Sequence, residues 1–184
     1  MSSAATHPFS GTYQAQPVAS TFAFAVRHSG VFWYRGAISD VTATLSDRGG
    51  ALTLDGSARV ESISTVEPAA MREHVLGPEF FDAAHHPEVT FRSTAIRLAD
   101  DGQVEVDGEL TIRGVTQPIN ATGHYSPPRP SSFGEIAGLE LHASFDRRQF
   151  GFEWQMQLPG GGEALGWNVQ LDIDLLLTGE NAAA

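Results

Sequence analysis

The side chains able to do chemistry here are 22 carboxylates, 11 arginines and 7 histidines, because the sequence contains neither cysteine nor lysine. Thiolate metal sites, cysteine nucleophiles and disulfides are excluded together. His74, His85 and His86 are close in sequence, but no carboxylate or thiol accompanies them at a recognised ligand spacing, so no metal site is expected. His85-His86-Pro87 fits a turn entering the strand of Val89 and Phe91. Arg72 and Arg147 stand beside acidic neighbours. A guanidinium grips a phosphate or carboxylate with paired hydrogen bonds, so each is a candidate head-group clamp, with a structural ion pair as the competing role. No Gly-x-Ser-x-Gly elbow, His-Glu-x-x-His helix or Walker loop occurs, and Asp100-Asp101 sits in a turn where solvation explains it. No catalytic residue is expected, and the chain is read as a binding protein rather than an enzyme. One further feature has chemical potential: an apolar stripe, Phe22, Phe24 and Val26, that ends on the imidazole of His28 at the same parity.

Strands must position that stripe. Phe22, Phe24 and Val26 alternate with Thr21, Ala23 and Ala25, which puts Arg27 on the opposite face; Val104 and Val106 lead to Leu110 and Ile112. Leu139, Leu141, Ala143 and Phe145 keep the period, and Val169, Leu171, Ile173, Leu175 and Leu177 alternate with Gln170, Asp172 and Asp174. A period of two marks strands with one buried face. Arg48-Gly49-Gly50, Asp55-Gly56, Asp101-Gly102 and Pro127-Pro128 read as turns at hairpin spacing, so the class is mainly β and antiparallel. From Pro68 to Leu76 the period breaks. Proline suits a first helical turn, Ala69 to Glu73 favour helix and Gly77-Pro78 stops it. Met71 and Val75 give this inserted helix an apolar side, so it reads as a partial lid, with Phe80-Phe81 as an aromatic plug behind it. Pro127 to Ser132 and Pro159 to Gly162 read as loops.

About eight antiparallel strands hide their edges by closing into a barrel, whose interior either fills with side chains or holds one small ligand. Pattern alone leaves both open. Many large apolar groups point inward, while Gly123 and Ala143 leave room. A nine-residue strand extends about 30 Å, enough for an extended, chain-like occupant. A net charge of -11 repels phosphate backbones, which argues against nucleic acid as a partner. The N-terminal residues show no basic start followed by an apolar run, and no window approaches 18 apolar residues. A cytoplasmic protein without stable membrane insertion is therefore expected.

Six segments, in this order and spacing, carry a resemblance: FAFAVRHSGVFWYRGAI at 22 to 38, ALTLDGSARVESIST at 51 to 65, MREHVLGPEFFDAAHHPEVTFRST at 71 to 94, GELTIRGVTQPI at 108 to 119, DRRQFGF at 146 to 152, and VQLDIDLLL at 169 to 177. From about Tyr13 to Leu177 the chain resembles the YceI-like family of isoprenoid-binding proteins. The resemblance implies an antiparallel eight-stranded lipocalin-like barrel with a short helical insertion, as a single domain over 11 to 179 between flexible ends at 1 to 10 and 180 to 184. It implies an apolar pore holding the tail of a polyprenyl compound or quinone, with no cofactor besides that bound lipid, and it leaves pairing as a homodimer open. The residues assigned to the pore lining are Phe22, Phe24, Val26, His28, Trp33, Met71, Val75, Phe80, Phe81, Phe91, Leu110, Ile112, Phe145, Leu171 and Ile173. His28, Arg72 and Arg147 are assigned to head-group contact. The chain departs from the family pattern at Ala19, where a histidine is usual, and at Glu73, where an aspartate is usual. The competing readings are a small enzyme acting on a lipid in the same pocket and a solid-core interaction module of a stress-response assembly.

Overall fold

Strand β1 (Thr12–Ala15) and strand β2 (Thr21–His28) run end to end as one stave of a barrel, both hydrogen-bonded to the same neighbour, β10 (Leu165–Gly179). The computed structural model describes residues 7 to 65, 67 to 132 and 134 to 180. Pro17 breaks the stave. It has no N–H to give the ladder and opens a helical turn, Pro17–Ala19, on the outside, after which the buried Ser20 hydroxyl accepts from Leu176 N–H. β3 (Phe32–Ile38) and β4 (Val41–Asp47) form a second broken stave, β3 paired with β2 and β4 with β1. β5 (Leu52–Arg59), β6 (Glu88–Leu98), β7 (Gln103–Ile112), β8 (Val115–Ser131) and β9 (Gly134–Asp146) complete the circuit to β10 by antiparallel neighbours. Ten strand segments thus make an eight-stave closed barrel.

The lower half closes by ladder bonds through β4 and β1, whereas in the upper half the segment from Val60 to Pro87 fills the gap between β3 and β6. Ser64 N–H donates to Ala37 O, and Ser62 Oγ accepts from the N–H groups of Ser39 and Asp40, replacing the missing ladder. This segment carries helix α1 (Ala69–Leu76). Arg72 ties the helix down by donating to the carbonyls of Glu61, Ile63 and Thr65 at 2.7, 3.2 and 3.2 Å. Arg113, in the β7–β8 turn, donates to Pro78 O and Gly151 O and so joins the lid to the β9–β10 connection.

The floor is solid. Phe9 meets Tyr13 edge to face at 5.5 Å, both are buried, and Tyr13 donates its hydroxyl to Glu135 at 2.5 Å. Ordered contacts therefore extend into both ends expected to be flexible: Phe9 is buried, His7 lies 3.6 Å from Asp47, and Glu180 N–H donates to Thr12 O, while 1 to 6 and 181 to 184 lie outside the described residues. Two turn assignments need correction. Asp55-Gly56 lies inside β5, where Gly56 pairs with Ala43 and Phe91 and Asp55 accepts from Arg92. Pro127-Pro128 lies inside β8 at a register shift between Ser126 and Arg129, where the missing proline N–H groups fall outside the ladder.

Two outcomes are expected from this packing. A Cβ on Gly123 would stand 1.8 Å from Glu140 O, whereas one on Gly138 would meet only Ser126, at 3.5 Å. Gly123→Ala should therefore lower stability by more than about 2 kcal/mol and Gly138→Ala by less than about 0.5, read from urea midpoints. Burial, then the hydrogen bond to Glu135, pushes the Tyr13 phenol from 10.0 up to about 12. The neutral phenol stabilises the fold fully below pH 10, and that contribution is lost as pH rises towards 12, by about 2 to 3 kcal/mol. Tyr13→Phe should flatten this alkaline decline, and equal declines in both proteins would contradict the placement of Tyr13.

Candidate functional site

Between the lid and the middle of the barrel lies an apolar chamber of about 450 Å³. β2 contributes Phe22, Phe24, Val26 and His28; the lid contributes Met71, Val75, Phe80 and Phe81; Ile112, Phe145 and Leu171 come from β7, β9 and β10. Below it is a smaller chamber of about 70 Å³ that includes Phe91, Leu110 and Ile173, and the two share the walls of Phe22, Val89 and Leu171. The expected nine-residue lumen is thus shortened. It is widest in the upper half and ends above the packed floor of Leu45, Val106, Leu177 and Tyr13, all nearly inaccessible.

The centre is open because two large rings lie along the wall. Phe24 stands opposite Gly36 on β3, and a Cβ on that glycine would fall 2.4 Å from the Phe24 ring tip. Phe91 leans over Gly108 on β7 in the same way, with a hypothetical Cβ 2.3 Å from its tip. An inward glycine leaves a slot beside the strand, and the ring fills the slot rather than the lumen. The rings of the upper chamber then brace one another: Phe81 lies 6.4 Å from Phe24 and 5.3 Å from Phe152, and His74 sits between Phe80 and Trp154 at 4.9 and 5.3 Å.

Arg147 is the buried charge at this chamber, 3% exposed. It donates to Gly166 O, Phe152 O and Leu165 O at 2.8, 2.7 and 3.2 Å, and its guanidinium lies 4.2 Å from the Trp167 ring centre. Among the described residues no carboxylate is within ion-pair distance of it, because Asp146 is held by Arg148 and caps the following turn instead. Burial pushes the Arg147 guanidinium below its ordinary value, though a guanidinium remains charged throughout the neutral range. Three of its five N–H groups are used by carbonyls, which leaves two without such a partner. His28 stacks on Phe32 at 5.0 Å with Nδ1 3.0 Å from Ser29 Oγ, and the Tyr34 hydroxyl meets Thr65. Val31, Phe32, Met71 and Met156 are exposed apolar groups at this upper end.

Two assignments need correction. Trp33 does not line the chamber: the turn after β2 sets His28 opposite Phe32, so Phe32 and Tyr34 face in, while Trp33 faces out over Arg27 at 5.1 Å. Arg72 is not at the chamber wall, since its guanidinium is spent on the three carbonyls that anchor the lid. Sequence reasoning missed Phe32, Tyr34, His74, Val89, Phe152, Trp154, Met156, Leu165 and Val169. Parity across the β2–β3 turn identifies Tyr34; Phe152 to Met156 lie in an irregular connection with no period to read. The segment around Ala19, where the family pattern is broken, is an exposed outer turn that contributes no residue to the chamber lining. No group of three histidine or acidic side chains is placed to hold a metal among the described residues, and no helix there is long and apolar enough to cross a membrane.

Comparison with known proteins places this geometry in a family. A UPF0312 protein of Pseudomonas syringae pv. tomato is 30% identical over 160 residues, which cover 85% of this chain and 78% of the relative. Protein YceI of Salmonella arizonae is 28% identical over 131 residues, covering 69% and 68%. Among solved structures, BcnA of Burkholderia cenocepacia superposes with a TM-score of 0.70 at 18% identity, over 88% of this chain and 98% of that one. A polyisoprenoid binding domain from Saccharophagus degradans, implicated in plant cell wall breakdown, does so with 0.63 at 15% identity, over 91% and 98%. The family model described as YceI-like domain matches residues 13 to 177, and the chain accordingly belongs to the YceI-like family.

Proposed function

We propose that this protein is a non-catalytic carrier of an isoprenoid-tailed amphiphile, with the tail in the two chambers and the polar head beside Arg147 and His28. The observation that carries the reading is an apolar sack, closed below and bounded at its upper end by one buried guanidinium with unused donors. The polyisoprenoid binding of the Saccharophagus degradans domain, which has the same fold, supports it. Each buried methylene favours the sack over water by about 0.8 kcal/mol, so a tail of several prenyl units is strongly held against water. A bilayer offers the tail much the same, so the net preference is small and exchange with membranes is reversible. Arg147 supplies one or two hydrogen bonds to an oxygen of the head, and among the described residues no carboxylate within ion-pair distance competes for its charge.

Mass spectrometry of a solvent extract of the purified protein, followed by titration of stripped protein with a prenyl alcohol, tests this reading. A copurified prenyl lipid, or saturable one-to-one binding, is the expected result; a sack that neither holds nor takes up such a tail would contradict it. Gly36→Val should push the Phe24 ring across the chamber and weaken uptake at least tenfold. Val26→Asp should do the same by placing an unpaired charge in the apolar wall. Circular dichroism identifies variants that remain folded, and a folded Gly36→Val protein with undiminished uptake would remove the upper chamber from the site.

A further inference from the structure

The shape of the sack limits what it can hold. An apolar cavity of about 150 Å³ accommodates benzene, which is about 25 Å³ per non-hydrogen atom. On that scale the upper chamber of about 450 Å³ takes about 18 atoms and the lower one of about 70 Å³ about three more. Depth gives a second, independent estimate. Along β10 the walls run from Leu165 through Leu171 to Leu175, and below Leu175 the fully buried Leu177 belongs to the packed floor. At about 3.3 Å per residue and a tilt of about 40°, the axial depth is about 15 Å from Val169 and about 20 Å from Leu165, because the bulge between Leu165 and Val169 sets four residues of β10 against two of β2. An extended chain advances about 1.2 Å per bond, so these depths span about three and about four prenyl units of four chain bonds each, the larger figure including the head.

We infer that the barrel measures tail length and takes a short prenyl tail of about three or four units, farnesyl to geranylgeranyl in size, in preference to long polyprenyl tails. The inference rests on the carrier reading above and adds the size class of its ligand. Volume sets the limit: about 21 atoms fill both chambers, whereas an octaprenyl tail alone carries about twice that number. The lower chamber acts as the stop. Its walls include small groups, Ala43, Gly56, Ala58, Ala121 and Ala143, which leave room for a tail end, and beneath it the buried Leu177 and Val106 belong to the packed floor.

The test is a competition among prenyl alcohols of two, three, four, six and nine units, mixed in equal amounts with stripped protein and read by native mass spectrometry. Three and four units should each exceed both the shortest and the longest by at least tenfold. Occupancy that rises steadily to nine units overturns the length limit while leaving the carrier reading intact, and no bound alcohol of any length overturns both. Ala143→Leu, which fills the lower chamber, should move the preference down by about one unit, and Leu175→Ala, which deepens it, should move it up. Equal weakening at every length in folded variants would contradict a stop at this level.

Discussion

An eight-stave barrel encloses barely enough room for its own inward side chains, so whether it is solid or hollow turns on the direction taken by a few large rings. In this chain the decisive contacts are two cross-strand pairs of phenylalanine and glycine. Phe24 lies into the slot at Gly36, and Phe91 into the slot at Gly108. Were those slots filled, the rings would cross the axis and the chamber would become ordinary core. The hollow therefore depends on what two positions lack as much as on what lines it.

The two ends of the barrel differ in kind. Below, Phe9, Tyr13, Leu177 and Val106 pack without a gap, and the Tyr13–Glu135 hydrogen bond satisfies the phenol at the edge of that floor. Above, the ladder is interrupted between β3 and β6, and a segment anchored by Arg72 and Arg113 stands in for the missing strand pairing. Carbonyl-anchored arginines recur in this cap. Arg147 uses the same chemistry, but it is among the residues lining the chamber, and among the described residues no carboxylate lies within ion-pair distance of it.

Much of this architecture is legible from alternation alone. Inward parity on β7, β9 and β10 is readable because each buries one face, that on β2 because Phe22, Phe24 and Val26 share a parity, and the helix is readable because Pro68 and Gly77-Pro78 bracket it. Failures share a cause. Trp33 was misplaced because parity on β3 is set by the turn after His28, and a one-residue difference reverses every side chain. Asp55-Gly56 and Pro127-Pro128 mimic turns, but the first leaves space inside the wall and the second occupies a register shift. Whether the interior was solid could not be decided, because Phe24 meets Gly36 and Phe91 meets Gly108 only once strand register is known. Trp154 and Phe152 reach the chamber from an irregular connection, where neither period applies.

A crystal structure of the stripped protein soaked with geranylgeraniol addresses the hollow upper half most directly. Continuous density running from beside Arg147, past Phe22 and Leu171, and ending near Leu175 is the expected result. Density for the Phe24 and Phe91 rings turned across the axis, with no ligand between lid and floor, would contradict it.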